Sequence, residues 1–335
     1  MKNILKCTMI IVGTLIGAGF ASGQEIATFF NRFLDNGMYG LILSSIFFGL
    51  TIFVIMMLMN KYDMEKYEQL INNNKFVLMI MKVFTFICFC IMISAIGSYG
   101  EQQYNVSFWY GAIFAGALCF VSFLFKFKGL EKINNVLVPL ILIGTVMLGT
   151  ANYDVNAIEF QTNEYTESVF INNWFLSAIL YAAYNSILLI PILVELKVYK
   201  TKRKDIFLIS CLTTLLLAVA GLLIYGAMNV YYPDILSVEL PTLVLAESCG
   251  KFAQYYYGVV ILFAIFTTAF SCGFSFLRMN DDKNYFRNTC LMCAFGIVLS
   301  RIGFSDMINF FFPIFGYLGI IQILIIALSK RKVSK

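Results

Sequence analysis

Residues 13–26 read GTLIGAGFASGQEI, which packs four glycines, a serine, a glutamine and a glutamate into fourteen positions of an otherwise apolar run. Glycine lets a backbone leave helical geometry with little steric penalty. Gly13, Gly17, Gly19 and Gly23 therefore mark places where peptide groups can be freed for binding. Ser22 and Glu25 have the S-x-x-E spacing of a capping box. The expectation is one helix ending near Gly17 and another beginning near Ser22. The alternative keeps the helix whole and uses Gly13/Gly17 and Gly19/Gly23 as G-x-x-x-G packing surfaces. Packing alone leaves Gln24 and Glu25 unexplained, because charged groups inside a span are costly and normally face a cavity or a partner.

A second candidate interruption is LYAAYNSILLIP, residues 180–191. Asn185 and Ser186 are favoured helix caps, and Pro191 leaves the carbonyl of Ile187 without its helical donor. A proline kink is the alternative. If both helices break, two amino-terminal ends with partial positive charge and two carboxy-terminal ends with spare carbonyls meet at one level. Such a site holds a carboxylate and a cation together. A third stretch, LFAIFTTAFSCG at 262–273, carries the hydroxyls of Thr267 and Thr268. They either ligate a hard cation or bond back to their own helix. Glu25 is a candidate proton or coupling site, or a fixed cap that never changes protonation.

Other chemistries find little support. The chain has nine cysteines and no histidine. Its one C-x-x-C, Cys290 and Cys293, sits inside an apolar run with no second pair at zinc-site spacing. No transition-metal site is expected, and the cysteines read as buried thiols. There is no G-x-x-x-x-G-K-[ST] loop and no serine or cysteine with an evident paired base, so no enzyme is expected.

The elements that must position these residues are membrane spans. Hydrophobic residues make up 60% of the 335 and charged ones 13%, against about 25% charged in soluble chains. Apolar runs near the ~20-residue bilayer length recur ten times, near 4–30, 38–60, 76–98, 108–125, 132–150, 173–196, 206–228, 252–277, 285–302 and 306–329. The first extends past a signal-peptide core and is read as a retained span. Lys and Arg concentrate in alternate connectors, among them 61–75 and 197–204, which places both termini in the cytoplasm of a multi-pass cell-membrane protein. The net charge of +5 belongs to these connectors facing anionic lipid, not to a nucleic-acid surface. The expected partners are the lipid bilayer and a small-molecule solute.

Ten spans divide into halves 1–150 and 173–329 within one integral membrane domain. INNVLVPLILIG (133–144) and INFFFPIFGYLG (308–319) each place Ile-Asn before a proline and a glycine after it. The two polar interruptions open the same two halves. Five spans per half make an inverted repeat, a frequent plan of secondary transporters. In the outer segment 229–250, Pro241 suits the start of a short helix, either a lid over an outer cavity or a plain surface helix.

GTLIGAGFASGQEI followed by YAAYNSILLIP resembles the YkvI-like bacterial membrane proteins, within the amino acid, polyamine and cation transporter superfamily of the LeuT fold. The resemblance implies an all-α fold of ten helices in a 5+5 inverted repeat, with helices 1 and 6 broken. It implies solute contacts at Ala18, Gly19 and Phe20 and at Tyr184, Asn185 and Ser186. It also implies a sodium site of Gly13, Ile16, Ala264, Thr267 and Thr268. The expected function is alternating-access transport of a small amino acid or amine-bearing solute. Sodium would be the coupling ion, with no other cofactor. A proton-coupled transporter and a non-transporting sensor like a germinant-receptor subunit are the alternatives.

Overall fold

The computed structural model describes residues 2–62, 64, 66–124, 130–152, 170–199, 201–279 and 284–329, with only the backbone of residues 2, 130–135 and 198. Several basic residues used for orientation, including Lys126, Lys128, Lys200, Lys283 and Lys330, lie outside the described residues. Every regular element among the described residues is helical. The helices are α1 (Lys2–Leu15), α2 (Ala18–Ala21), α3 (Gln24–Phe29), α4 (Asp35–Tyr62), α5 (Tyr67–Leu70), α6 (Lys75–Tyr104) and α7 (Phe108–Leu124). They continue with α8 (Leu130–Ala151), α9 (Trp174–Glu195), α10 (Arg203–Asn229), α11 (Pro241–Ser248), α12 (Lys251–Arg278), α13 (Tyr285–Leu299) and α14 (Phe304–Leu328).

Six of these, α4, α6, α9, α10, α12 and α14, are long and apolar enough to cross a membrane by length and composition. Asn3–Leu15, Phe108–Leu124 and Val136–Ala151 are shorter apolar helical stretches. The surface agrees with a membrane protein. Met38, Ile42, Ile46, Leu50 and Val54 form an exposed stripe one turn apart along α4, and Leu208, Leu212, Leu215 and Val219 form another on α10. Contiguous apolar surface on that scale is stable against lipid and a liability in water.

Helix ends carry local signals. Asn74 accepts from the amides of Phe76 and Val77 at the start of α6, and Asn105 ends it in the left-handed region with φ 53°. Pro241 stands in the first turn of α11, as expected.

Two packing groups result. In one, α4 and α1 each pack against both α9 and α10; in the other, α6, α7, α12 and α13 touch each other, while α8 and α14 contact members of both.

The expected break in the sixth span does not occur: α9 is one helix from Trp174 to Glu195 with Pro191 inside it. The polar side chains that suggested a cap bond back to their own helix instead. Asn185 Nδ2 donates to the Tyr181 carbonyl at 3.1 Å and Ser186 Oγ to the Ala183 carbonyl at 2.6 Å. Residues 180–191 contain no glycine, so no position there takes the left-handed turn that Gly23 takes in the first run without strain. Neighbouring α14 also fixes this stretch. A Cβ at Gly316 would meet the Leu180 backbone at 2.9 Å, and one at Gly319 would overlap the Ala183 carbonyl.

That contact predicts a cost. Gly319→Ala forces α14 away from α9 and is expected to lower stability by about 1–3 kcal/mol, read as a fall in the melting temperature of the purified protein. An unchanged melting temperature contradicts the backbone-to-backbone packing.

Candidate functional site

The first apolar run does break, and in two steps. Ile16 N–H still bonds the Val12 carbonyl at 2.7 Å, but the next backbone bond runs from Ala21 N–H to the Gly17 carbonyl at 2.9 Å. Among the described residues, no backbone bond joins the amides of residues 17–20 to the carbonyls of residues 13–16. Gly17 is extended, with φ −85° and ψ −167°. The single turn α2 then ends at Gly23, whose φ of +80° starts α3 in a new direction. The capping box is not formed. Gly23 is the cap of α3, Ser22 Oγ donates to the Gly19 carbonyl at 3.0 Å, and the Gln24 amide reaches Ser22 Oγ only at 3.4 Å.

Glu25 is thereby released from capping and turns inward. It is 6% exposed, and its carboxylate lies over the Gly19 backbone so closely that a Cβ there would overlap it. Tyr181 Oη donates to Glu25 Oε2 at 3.2 Å. Tyr184 stands beside the same carboxylate, with its hydroxyl left without a hydrogen-bond partner. Around them is an aromatic cage: the rings of Tyr184 and Phe29 stack at 5.5 Å, Tyr184 and Phe312 meet at 4.6 Å, and Tyr181 crosses Phe30 edge-on at 5.0 Å. Tyr181 also lines a small cavity with Leu15 and Phe20 at the break, Ser44 and Phe48 of α4, and Leu217 of α10.

The expected solute residues divide. Ala18, Gly19 and Phe20 are buried in α2 at the break, and Phe20 faces the cavity. Tyr184 is next to Glu25, whereas the side-chain amide of Asn185 and the hydroxyl of Ser186 are spent on α9 itself. Tyr181, Ser44 and Ser45 were not foreseen. The Tyr-x-x-Tyr spacing of 181 and 184, and the serine pair in the second apolar run, are the signals that would have found them. Of the sodium candidates, Thr268 Oγ1 would lie 3.7 Å from a Cβ on Gly17, so α12 reaches the break. Thr267 Oγ1 donates to the Ala264 carbonyl at 3.1 Å, and Gly13 packs on Val138. Ile16 is buried where the ladder stops.

The α11 side of the break is closed. Thr242 of α11 donates its amide to the Ser22 carbonyl at 3.0 Å and its hydroxyl to the Ala21 carbonyl at 2.8 Å. Tyr257 Oη of α12 bonds the same Ala21 carbonyl at 3.0 Å. The short helix α11 is thus docked on the elbow, with Pro241 and Thr242 against Gly23. A polar row, also unforeseen, continues from the break along α3. Gln24 Nε2 donates to Ser305 Oγ at 2.6 Å, while Thr28 Oγ1 and Arg32 Nη2 donate to Asn309 Oδ1 at 2.8 and 3.2 Å. Glu239 Oε2 accepts from the Ser305 amide at 2.7 Å, and burial pushes its carboxyl above the usual carboxylate value.

Because Ala21 has two side-chain donors, the substitutions Thr242→Val and Tyr257→Phe should each cost about 0.5–1.5 kcal/mol. The double variant strips that carbonyl of both and should lose more than the sum. Melting temperatures of the two single variants and the double one check this, and strict additivity contradicts it.

No protein-family model matches the chain. The membrane protein YkvI of Bacillus subtilis (strain 168) is 24% identical over 333 residues, spanning 94% of this chain and 92% of the relative. YyaD of the same organism is 24% identical over 356 residues, spanning 98% of each. With the apolar helices and lipid-facing stripes, these two distant relatives identify a membrane protein and support a YkvI-like membrane protein family.

Proposed function

We propose that the chain is a secondary transporter that holds a small amino acid or amine-bearing solute at the break in its first span and moves it by alternating access. The carrying observation is the interrupted backbone at residues 16–23 beside the buried carboxylate of Glu25. In hydrocarbon an unpaired peptide group costs several kcal/mol, so irregular backbone at membrane depth is tolerated where it is buried in protein or lines a cavity.

The proposal includes ten spans with both termini cytoplasmic and a 5+5 inverted repeat of a LeuT-like kind. Contacts support the repeat. Exchanging each helix of one half for its counterpart turns the α4–α9 contact into α10–α1, α6–α14 into α12–α8, and α6–α13 into α12–α7, and all six contacts occur. The break does not follow that symmetry, since α9 is continuous. The proposed sodium site therefore draws on one broken helix, through the free carbonyls of residues 13–16 and Thr268. Proton coupling is the second reading, favoured by the burial of Glu25 beside the hydroxyls of Tyr181 and Tyr184.

In vesicles holding the purified protein, an inward sodium gradient should drive solute accumulation, and dissipating that gradient should abolish it. Thr268→Val should raise the half-saturating sodium about tenfold, roughly one ligand's share. Accumulation driven by a proton gradient alone would favour the second reading. Solute binding with no flux under either gradient would instead indicate a sensor.

A further inference from the structure

We infer that Glu239 is a proton-operated latch on residues 239–242, holding that strap across the break when protonated and loosening it when ionised. The inference concerns how the break is covered and stands apart from the identity of the solute and of the coupling ion.

The strap is tied to three elements within four residues. Glu239 Oε2 accepts from the Ser305 amide in the first turn of α14 at 2.7 Å. Leu240 is bound through both of its backbone groups to the Gln102 side chain of α6. Its amide donates to Oε1 at 3.1 Å, and its carbonyl accepts from Nε2 at 3.2 Å. Pro241 has no amide to place. Thr242 then meets the Ser22 and Ala21 carbonyls at the elbow. Among the side chains in these contacts, Glu239 alone titrates near neutral pH. The residue it grips is itself an anchor, since Ser305 Oγ accepts from Gln24 of α3 at 2.6 Å and from Asn309 at 3.2 Å.

Glu239 sits where a second acid already stands. A Cβ on Gly303 would lie 3.2 Å from Glu239 Oε1 and 3.7 Å from Asp306 Oδ2, so both carboxyl groups converge on one point at the head of α14. Gly303 has φ +105° and leaves that space open. Asp306 is exposed and Glu239 half-buried, so water reaches the pair. Asp306 is the charged group that faces Glu239 from α14, and α6 presents the neutral Ser98 and Gln102. Among the described residues neither acid forms an ion pair. Burial raises the Glu239 carboxyl above its ordinary value and the charge of Asp306 adds to this, against the opposing pull of the Ser305 and Phe304 amides. Protonated, Glu239 keeps one oxygen to accept from Ser305 and gains a hydroxyl to offer Asp306. Repulsion between two carboxylates then becomes a hydrogen bond.

Linkage sets the direction. Released into water, Glu239 returns to the ordinary value near ~4.3, whereas docked it keeps its proton to higher pH. The docked strap binds the proton more tightly, so proton uptake favours docking. That contribution is complete below the ordinary value and is lost as pH rises through the raised one.

Amide hydrogen exchange on the purified full chain reads the strap through the Leu240 and Thr242 amides, whose acceptors lie on α6 and at the elbow. Rates are divided by the intrinsic rate at each pH to leave protection alone. From about pH 4 to about pH 8, protection of these two amides should fall about three- to tenfold, with no such fall across residues 180–191. Glu239→Gln, a permanent copy of the protonated form, should hold the low-pH protection at every pH. Asp306→Asn removes the like charge and should move the fall to lower pH. Melting temperatures establish that both variants are folded. Protection that rises with pH and drops in Glu239→Gln would overturn the latch, because the ionised carboxylate would then be the holding form. Protection that ignores pH in the unmodified chain would also overturn it, leaving Glu239 a fixed cap of α14. Either failure leaves the transport reading intact, since that is tested by the vesicle gradients.

Discussion

A peptide group inside a bilayer must find a partner, and α1 meets that demand by helix until the chain reaches residues 16–23. There the ladder lapses between the Ile16–Val12 bond and the Ala21–Gly17 bond. The surrounding structure is arranged around that lapse. Thr242 and Tyr257 satisfy the outer carbonyls, and Gly23 turns the chain so that Glu25 faces inward. Tyr181 meets the carboxylate. The carbonyls of residues 13–16 stay without backbone donors.

The two candidate breaks show why polarity alone does not decide where a helix opens. Span one and α9 both carry residues with a taste for caps. Only span one has glycines, one of which adopts φ +80°. In α9 the asparagine and serine satisfy themselves on the preceding turn, and the backbone is pinned through Gly316 and Gly319 of α14. A proline near the end of the helix removes one donor, which one unpaired carbonyl absorbs. The result is a lopsided site, with the freed backbone and the charge both on the first span and with aromatic packing supplied by α9.

Much of the fold was legible because hydrophobic runs and their punctuation are local signals. The apolar runs, the break around Gly17 and the helix starting at Pro241 all follow from residues within one or two turns of each other. What was not legible depends on partners distant in sequence. Ser22 looked like the cap of Glu25, yet tertiary contacts draw Glu25 to Tyr181, 156 positions away. The Gln24–Thr28–Arg32 row is regular at i, i+4, i+8, but its meaning appears only when Ser305 and Asn309 are set against it. Thr267 and Thr268 are adjacent and chemically alike, and packing gives one to its own helix and the other to the break.

The central claim is that the backbone leaves the helical ladder within residues 16–23 and keeps it through residues 180–191. Amide hydrogen exchange on the purified protein tests this directly, since exchange reports local opening. The account predicts faster exchange across 16–23 than across 180–191, and slowing confined to the first stretch when a solute binds. Equal protection of the two stretches, with no change on solute addition, would contradict it.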